Sequence, residues 1–270
     1  MIISSTELHN KLLSIMISFH DFCVENEIKY YLLGGSALGA RRHKGFIPWD
    51  DDIDIGIPRD DYDRLAQMDP SCLPENLELR FYQNTKDSPF HFMKLIDKST
   101  TLIEHQYKGY IEGLYVDIFP LDGAANNSLF EKIRRHNIWN THTLLILHFL
   151  SETKSHFIKR IIQQFARLVP ANVIHNSLEK QMTRYTFEDS QDIANYLGSW
   201  KEREIMPKSI LGTPTLYDFE GVKFFGPQDI DSYLRHLYGD YMKLPPEEDR
   251  IFKHDYYYLN LDLPYNVYQE

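Results

Sequence analysis

Residues 49–57 constrain the fold more than any other part of the chain. They read WDDDIDIGI, with aspartates that give way to alternating isoleucines. Successive side chains of a β-strand point to opposite faces, so a strand here places Asp50, Asp52 and Asp54 on one face and the isoleucines on the other. The isoleucine face requires a core beneath it. The pattern therefore predicts a strand over about 51–57 with one buried face and one acidic face.

The acidic face predicts a metal site. Carboxylates two residues apart on a strand are separated by roughly 6.6 Å, and like charges at such spacing repel unless a cation lies between them. Carboxylate oxygens suit hard divalent cations such as Mg²⁺ and Mn²⁺. We therefore expect Asp52 and Asp54 to bind one or two Mg²⁺ or Mn²⁺ ions, with Asp50 in a supporting role.

Two other interpretations of this segment are open. A calcium-binding loop counted from Asp50 needs glycine at its sixth position and usually glutamate at its twelfth, but the chain has Ile55 and Asp61 there. A run of charged residues more often forms a solvent-exposed acidic turn, which is the second alternative. Such turns do not normally continue into alternating isoleucines, which favours the strand.

A second motif precedes the acidic strand. The apolar run 30–33 is followed by Gly34-Gly35-Ser36 and a short helical pattern ending near Arg42, with Ser36 as the expected N-cap. Glycines permit close backbone approach, and helix N-terminal amides attract anions. We expect Gly35, Ser36, Arg42 and His43 to contact phosphate. A plain turn, and basic residues that merely complement a helix C-terminus, are the alternatives.

These motifs resemble a known family. A Gly-Gly-Ser turn, an Asp52-x-Asp54 strand and a later strand with one aspartate are similar to the nucleotidyltransferase superfamily. The pattern R-H-x-x-x-I-P-W-D-x-D-x-D, here from Arg42 to Asp54, resembles the LicD family of phosphocholine transferases and the related fukutin-related ribitol-phosphate transferases. Residues 94–97, 116–123 and 238–246 look similar to the same family.

The resemblance implies roles for two further residues. Asp117 would be the third metal-binding carboxylate and would orient or deprotonate the attacking hydroxyl, although an aspartate in an apolar strand is as often structural. Lys94 lies in an apolar run, where a lysine must reach solvent or an anion, so a phosphate contact is expected there. Asp122 precedes Gly123 and is interpreted as a turn residue.

The resemblance also implies an activity. Phosphocholine would pass from CDP-choline to a sugar hydroxyl of a glycan precursor such as teichoic acid, or of a lipid-linked acceptor, with release of CMP. Transfer of ribitol phosphate, or of a nucleotide to a small acceptor, is the alternative because one metal site can serve all these reactions. A catalytically silent sugar- or nucleotide-binding module is the alternative from another class. Three retained carboxylates argue against silence.

The fold class expected is α/β (α+β), a nucleotidyltransferase-like mixed sheet with flanking helices and an inserted helical subdomain. The expected divisions are a catalytic core over 1–125, a helical subdomain over 126–205 and a C-terminal segment over 206–270 that packs back on the core. A capping box at Ser4 and Glu7 begins the first helix. Further strands are expected near 77–81, 92–96, 115–119 and 221–226, and helices from 129 to 187.

Composition limits the partners. A formal net charge of -10 opposes binding to nucleic acid and to anionic membranes. Two cysteines are too few for a disulfide framework, and the N-terminus lacks a signal-peptide pattern, so a cytoplasmic protein without disulfides is expected. Residues 154–169 form an amphipathic helical pattern. Its apolar face either packs inward, the commoner case, or contacts the inner face of a membrane.

Overall fold

A computed structural model of the chain describes residues 4–107, 109–125, 128–151, 157–252 and 254–269. Its helices are α1 Ser5–Glu25, α2 Gly34–Arg42, α3 Arg59–Gln67, α4 Leu129–Phe149, α5 Phe157–Leu168, α6 Ala171–Met182, α7 Lys208–Leu211 and α8 Ile230–Tyr238. Its strands are β1 Tyr31–Leu32, β2 Asp54–Pro58, β3 Leu77–Arg80, β4 Met93–Asp97, β5 Thr101–Glu104, β6 Tyr115–Ala124, β7 Asp192–Ala194, β8 Ile205–Pro207, β9 Thr215–Phe219, β10 Val222–Gly226 and β11 Tyr256–Asn260.

The main sheet has mixed strand directions. Its order is β1-β2-β6-β4-β3, and β7 and β8 extend it from the end of β6. The pair of β2 and β6 is parallel, whereas the other neighbours are antiparallel. Strands β9 and β10 form a separate hairpin, and β11 pairs with β5. The expected mixed α/β (α+β) class with flanking helices is confirmed.

A buried ion pair fixes the register of β2 against β6. Arg59 follows β2, and its Nε and Nη2 atoms lie 2.7 and 2.9 Å from the two carboxylate oxygens of Asp122 on β6. Both side chains are buried, so the pair is held by two parallel charge-assisted hydrogen bonds. The interpretation of Asp122 as a turn residue is wrong: β6 continues through Ala124 because β7 pairs with its end.

Helix α1 forms as its sequence predicts. The Ser4 side chain accepts a hydrogen bond from the Glu7 amide, and the Glu7 carboxylate accepts one from the Ser4 amide. This reciprocal capping satisfies amides that the first turn leaves unpaired. One face of the helix, including Cys23, is buried in the main core. Burial raises the pKa of the Cys23 thiol, which keeps it in the protonated form.

The acidic strand is shorter than expected. Strand β2 begins at Asp54, and residues 50–53, which were expected to include the start of the strand, have no regular secondary structure. Ile53, Ile55 and Ile57 are all buried, as the pattern requires. On the β1 side, Tyr31 and Leu32 pair with Gly56 and Ile55, so this pairing does not extend to residues 50–53.

The predicted helical region is confirmed as α4, α5 and α6, and side chains of α4 and α6 contribute to a second apolar cluster. Helix α5 does not fit the inward-packing expectation. Its buried face carries Gln163 and Ala166, while Phe165 and Leu168 are 65% and 76% exposed and Ile162 is exposed as well. Among the described residues, no helix combines the length and apolarity needed to cross a bilayer.

A histidine cluster joins this helical region to the sheet. The Nδ1 atoms of His91 and His175 lie 3.0 Å apart, and the Tyr82 ring stacks against both imidazoles. Burial lowers the pKa of His175 to about 3 and that of His142 to about 4, and it also lowers the pKa of His91. The folded protein therefore keeps these imidazoles neutral in mild acid.

The cluster predicts that the protein loses stability in mild acid. Below pH about 6.5 the unfolded chain binds protons that the folded cluster does not, and each such histidine costs up to about 1.4 kcal/mol of unfolding free energy per pH unit. For His175 the loss continues to about pH 3. Urea unfolding at pH 7 and pH 5 measures this slope. His175→Asn should flatten it, whereas His105→Asn, on a half-exposed side chain, should not; an unchanged slope in His175→Asn contradicts the prediction.

Candidate active site

Three neighbouring strands bring charged residues side by side. Asp54 on β2 pairs in register with Asp117 on β6, and Asp117 pairs in register with Lys94 on β4. In-register residues of adjacent strands share a face of the sheet. The sheet topology therefore assembles two of the sequence-predicted carboxylates and the predicted lysine into one row.

Asp117 is a buried carboxylate with incomplete hydrogen bonding. Its Oδ1 atom has no hydrogen-bond partner among the residues that the structure describes. Burial and the charge of Asp52 raise the pKa of Asp117 to about 7, although Lys94 opposes the rise. A buried carboxylate oxygen without a partner is costly, and a bound cation is one way to satisfy it.

Asp54 has a similar environment. Burial, followed by the charges of Asp52 and Asp117, raises its pKa well above the ordinary value. Its main-chain N–H donates to the Ser36 hydroxyl over 2.9 Å. Ser36 lies inside α2, which begins at Gly34, so the expected N-cap position is wrong and the hydroxyl instead anchors the start of β2. Its contact with phosphate stays a prediction.

The glycine pair lets α2 approach the carboxylates. A β-carbon added to Gly35 would lie 2.5 Å from Asp50 Oδ2, closer than atoms can pack. Gly34 has φ +47°, in the left-handed region, and a β-carbon there would lie 3.4 Å from Asp54 Oδ2. The start of α2 therefore lies directly against the acidic residues, as the expected proximity of the two motifs requires.

His254 is a site residue that sequence reasoning missed. Its Nδ1 lies 2.9 Å from Asp51 Oδ1, and its Nε2 lies 3.9 Å from Asp52 Oδ2. Burial lowers the pKa of His254, but the Asp51 hydrogen bond and the charges of Asp52 and Asp51 outweigh burial and raise it to about 9. No motif surrounds His254 in the sequence. Only the pairing of β11 with β5 brings it here.

Among the residues that the structure describes, one group of aspartates has the spacing of a divalent-cation site. Asp50, Asp51 and Asp52 each offer an oxygen within 4.8 Å of the others. Asp51, however, already accepts hydrogen bonds from the ring and the main-chain N–H of His254. Asp54 and Asp117 have raised pKa values, so their charge is poorly compensated. Asp54 and Asp117 lie outside this group, so the binding of Mg²⁺ or Mn²⁺ by Asp52, Asp54 and Asp117 stays a prediction.

A cavity of about 780 Å³ opens beside Asp54, but Asp117 and Lys94 are not among its lining residues. Its lining includes Gly35, Arg42, Asp52 and Asp54, four of the sequence-predicted residues. Arg42 Nη1 donates to the Tyr241 carbonyl over 2.8 Å. His43 lies at the edge of the site, with its ring perpendicular to that of Trp49. The cavity is large enough for a nucleotide-sized ligand.

Lys94 is buried at the β4 end of the row. Its Nζ lies 2.9 Å from Glu112 Oε1 and 3.6 Å from Glu104 Oε1. It also lies 3.2 Å from the centroid of the Tyr115 ring. Burial lowers the pKa of Lys94, but these acids and Asp117 outweigh burial, so the ammonium stays charged. The predicted phosphate contact of Lys94 stays a prediction.

The part of the chain that carries Asp52, Asp54 and Asp117 also matches a known family. Residues 27–166, slightly more than half of the chain, match the model of the LicD/FKTN/FKRP nucleotidyltransferase domain. The chain belongs to this LicD family. It is 29% identical over 252 residues to the lipopolysaccharide cholinephosphotransferase LicD of Haemophilus influenzae, covering 88% of this chain and 91% of that protein.

Two shorter similarities accompany the LicD match. The chain is 49% identical over 41 residues to the human ribitol 5-phosphate transferase FKRP, covering 15% of this chain and 8% of that protein. It is 44% identical over 120 residues to an uncharacterized protein of Rickettsia typhi, covering 44% of this chain and 37% of that protein. The family resemblance inferred from the motifs is thereby confirmed.

Removing the Lys94 side chain should lower the free energy of unfolding of this LicD-family protein substantially. Lys94→Met leaves Glu112 charged and buried, and breaking a buried ion pair from one side typically costs about 3–5 kcal/mol. The added change Glu112→Gln should recover part of that loss. Chemical denaturation of both variants measures the effect, with Lys86→Met as the control because the Lys86 side chain is 93% exposed. A Lys94→Met protein of normal stability would contradict this prediction.

Proposed function

We propose that the chain is a phosphocholine transferase that moves phosphocholine from CDP-choline to a sugar hydroxyl of a glycan precursor and releases CMP. The main support is the in-register placement of Asp54 and Asp117 beside the Gly34-Gly35 turn, within the part of the chain that matches the LicD family. The name of the Haemophilus influenzae relative supports phosphocholine as the transferred group. Teichoic acid, lipopolysaccharide and lipid-linked sugars are the acceptors that we propose to test.

Each site residue has a proposed role. Asp52, Asp54 and Asp117 would hold one or two Mg²⁺ or Mn²⁺ ions, which supply positive charge against the donor diphosphate. Gly35 lets the start of α2 lie against Asp50 at the cavity wall, where we propose that the donor phosphates bind, and Arg42 contributes positive charge there. Ser36 and His43 are also proposed to contact the donor phosphates. The Ser36 hydroxyl in addition fixes the start of β2.

The transfer step displaces CMP at phosphorus. The acceptor hydroxyl oxygen forms a new bond to the phosphorus of phosphocholine, and the bond from that phosphorus to the CMP oxygen breaks. Asp117 is proposed to orient the hydroxyl and to take its proton. Its place between Asp54 and Lys94 on the sheet supports this role, because the surrounding strands hold the carboxylate in one position.

Replacing Asp52 tests the proposal. Asp52→Asn keeps the shape of the side chain but removes its charge, so CMP release from CDP-choline should fall by at least 100-fold while the unfolding midpoint stays within about 2 °C. Asp87→Asn is the matched control because that carboxylate is exposed, 72% for the side chain, and lies away from the cavity. Transfer rates near wild type in Asp52→Asn would show that the metal assignment is wrong.

The identity of the donor is tested separately. The FKRP relative supports ribitol phosphate as the second candidate group, and transfer of a nucleotide is the third. CMP release from CDP-choline and CDP-ribitol, and pyrophosphate release from nucleoside triphosphates, should be compared at equal Mg²⁺. We expect CDP-choline to be the fastest donor. Lack of turnover with every donor would favour a silent binding module.

Helix α5 offers a surface that could bring the protein close to a lipid-linked acceptor. Its exposed Phe165 and Leu168 form an apolar surface, and Arg160 and Arg167 lie elsewhere on the helix. We propose a peripheral contact between this surface and the inner face of a membrane that carries a lipid-linked acceptor. The cytoplasmic location expected from the sequence is part of the same proposal.

Vesicle sedimentation tests the membrane contact. The wild-type protein should sediment with vesicles of phosphatidylcholine containing phosphatidylglycerol, because apolar burial adds to the attraction of the arginines for anionic lipid. Phe165→Gln combined with Leu168→Gln should reduce the bound fraction at least fivefold. Leu216→Gln, at an exposed position of β9, is the control. Equal sedimentation of all three proteins would reject α5 as the contact.

A further inference from the structure

One corner of the cavity combines two aromatic rings with a carboxylate. The rings of Trp200 and Tyr238 have centroids 5.3 Å apart and are nearly perpendicular, at 87°. Glu204 lies beside them, and all three residues line the same cavity as Asp54. Two perpendicular aromatic walls and an anionic group form a concave surface suited to a compact organic cation.

Glu204 keeps its carboxylate at this corner by local geometry. Its Oε1 accepts a hydrogen bond from the Trp200 main-chain N–H over 3.4 Å. A β-carbon on Gly198 would lie 2.4 Å from Glu204 Oε1, so only glycine leaves room for the carboxylate. The residue is 6% exposed, and burial raises its pKa to about 7. A buried carboxylate in this state gains from a cationic ligand.

The corner lies close to the carboxylate row. A β-carbon on Gly34 would lie 3.7 Å from Tyr238 Oη and 3.4 Å from Asp54 Oδ2, so these two oxygens are at most about 7 Å apart. A ligand with a cation and a phosphate joined by a two-carbon chain can therefore reach both places. Phosphocholine has this arrangement.

The charge of the lining also favours a cation. Arg203 lies over Trp200 at 5.4 Å from the ring centroid, and its charge opposes a second cation there. The cavity lining nevertheless contains more carboxylates than basic groups. The carboxylates are Asp50, Asp52, Asp54, Glu204 and Asp240, against the bases Arg42, Lys243 and His254.

We infer that Trp200, Tyr238 and Glu204 form the subsite for the quaternary ammonium group of the donor. The inference deepens the proposed function and rests on it for the identity of the donor. A quaternary ammonium group has no N–H to donate, so aromatic faces and a nearby negative charge recognise it, not a hydrogen-bond acceptor. Tyr241 also lines this cavity, whereas Tyr107, Tyr110 and Tyr217 do not.

A neutral analogue of the donor tests this subsite. CDP-choline and its 3,3-dimethylbutyl analogue have the same shape, but only CDP-choline carries the positive charge. Equilibrium titration of the full chain with each compound, in Mg²⁺ and without acceptor, should give about tenfold tighter binding of CDP-choline. Trp200→Leu and Glu204→Gln should each reduce this ratio to about two. Phe130→Leu, at an exposed position of α4 that does not line the cavity, is the control and should keep the ratio.

The outcomes separate the subsite from the transfer reaction. Equal affinity for the two compounds in the wild type, or an unchanged ratio in both variants, overturns the subsite even if CMP is released in the transfer assay. A preference for CDP-choline that both variants lose supports the subsite even if no acceptor yields CMP. If neither compound binds, the subsite and the proposed function both fail.

Discussion

The parallel register of β2 and β6 is the constraint on which the site depends. It places Asp54 beside Asp117 at one end of the strand pair and the Arg59–Asp122 ion pair at the other. A slip of one residue would turn the side chains of β2 to the opposite face and separate the carboxylates. The bidentate Arg59 contact opposes such a slip, because it would leave a buried charge without its partner.

Charge around the site is distributed in layers. Lys94, at the β4 end of the row, compensates Glu112 and part of the charge of Asp117, while His254 compensates Asp51. Asp54 is left with neighbours of its own sign. Several buried acids are thus compensated within the protein, whereas Asp54, which lines the cavity, has carboxylates as its charged neighbours. Carboxylates with such raised pKa values beside a cavity are candidates for a functional site.

Local patterns predicted much of this structure, because their physical causes are local. The α1 capping box, the buried isoleucines of β2 and the helices after Ser128 follow from periodicity and end signals. The errors lie where contacts between residues that are distant in sequence determine the structure. Asp122 was interpreted as a turn residue because its partner, Arg59, is distant in sequence, and the strands β7, β8 and β11 were missed because they are short and depend on their neighbours. Helix α5 shows the same limit: its periodicity is correct, but the sequence does not reveal which face packs inward.

The long separation between Asp51 and His254 has a consequence for biosynthesis. The two residues are 203 positions apart, so translation places the acidic loop outside the ribosome long before its imidazole partner is made. During that interval the nascent chain carries a dense group of negative charges without this compensation. The sheet that orders these aspartates is made from earlier residues, but the final charge balance of the cavity is reached only when β11 docks on β5.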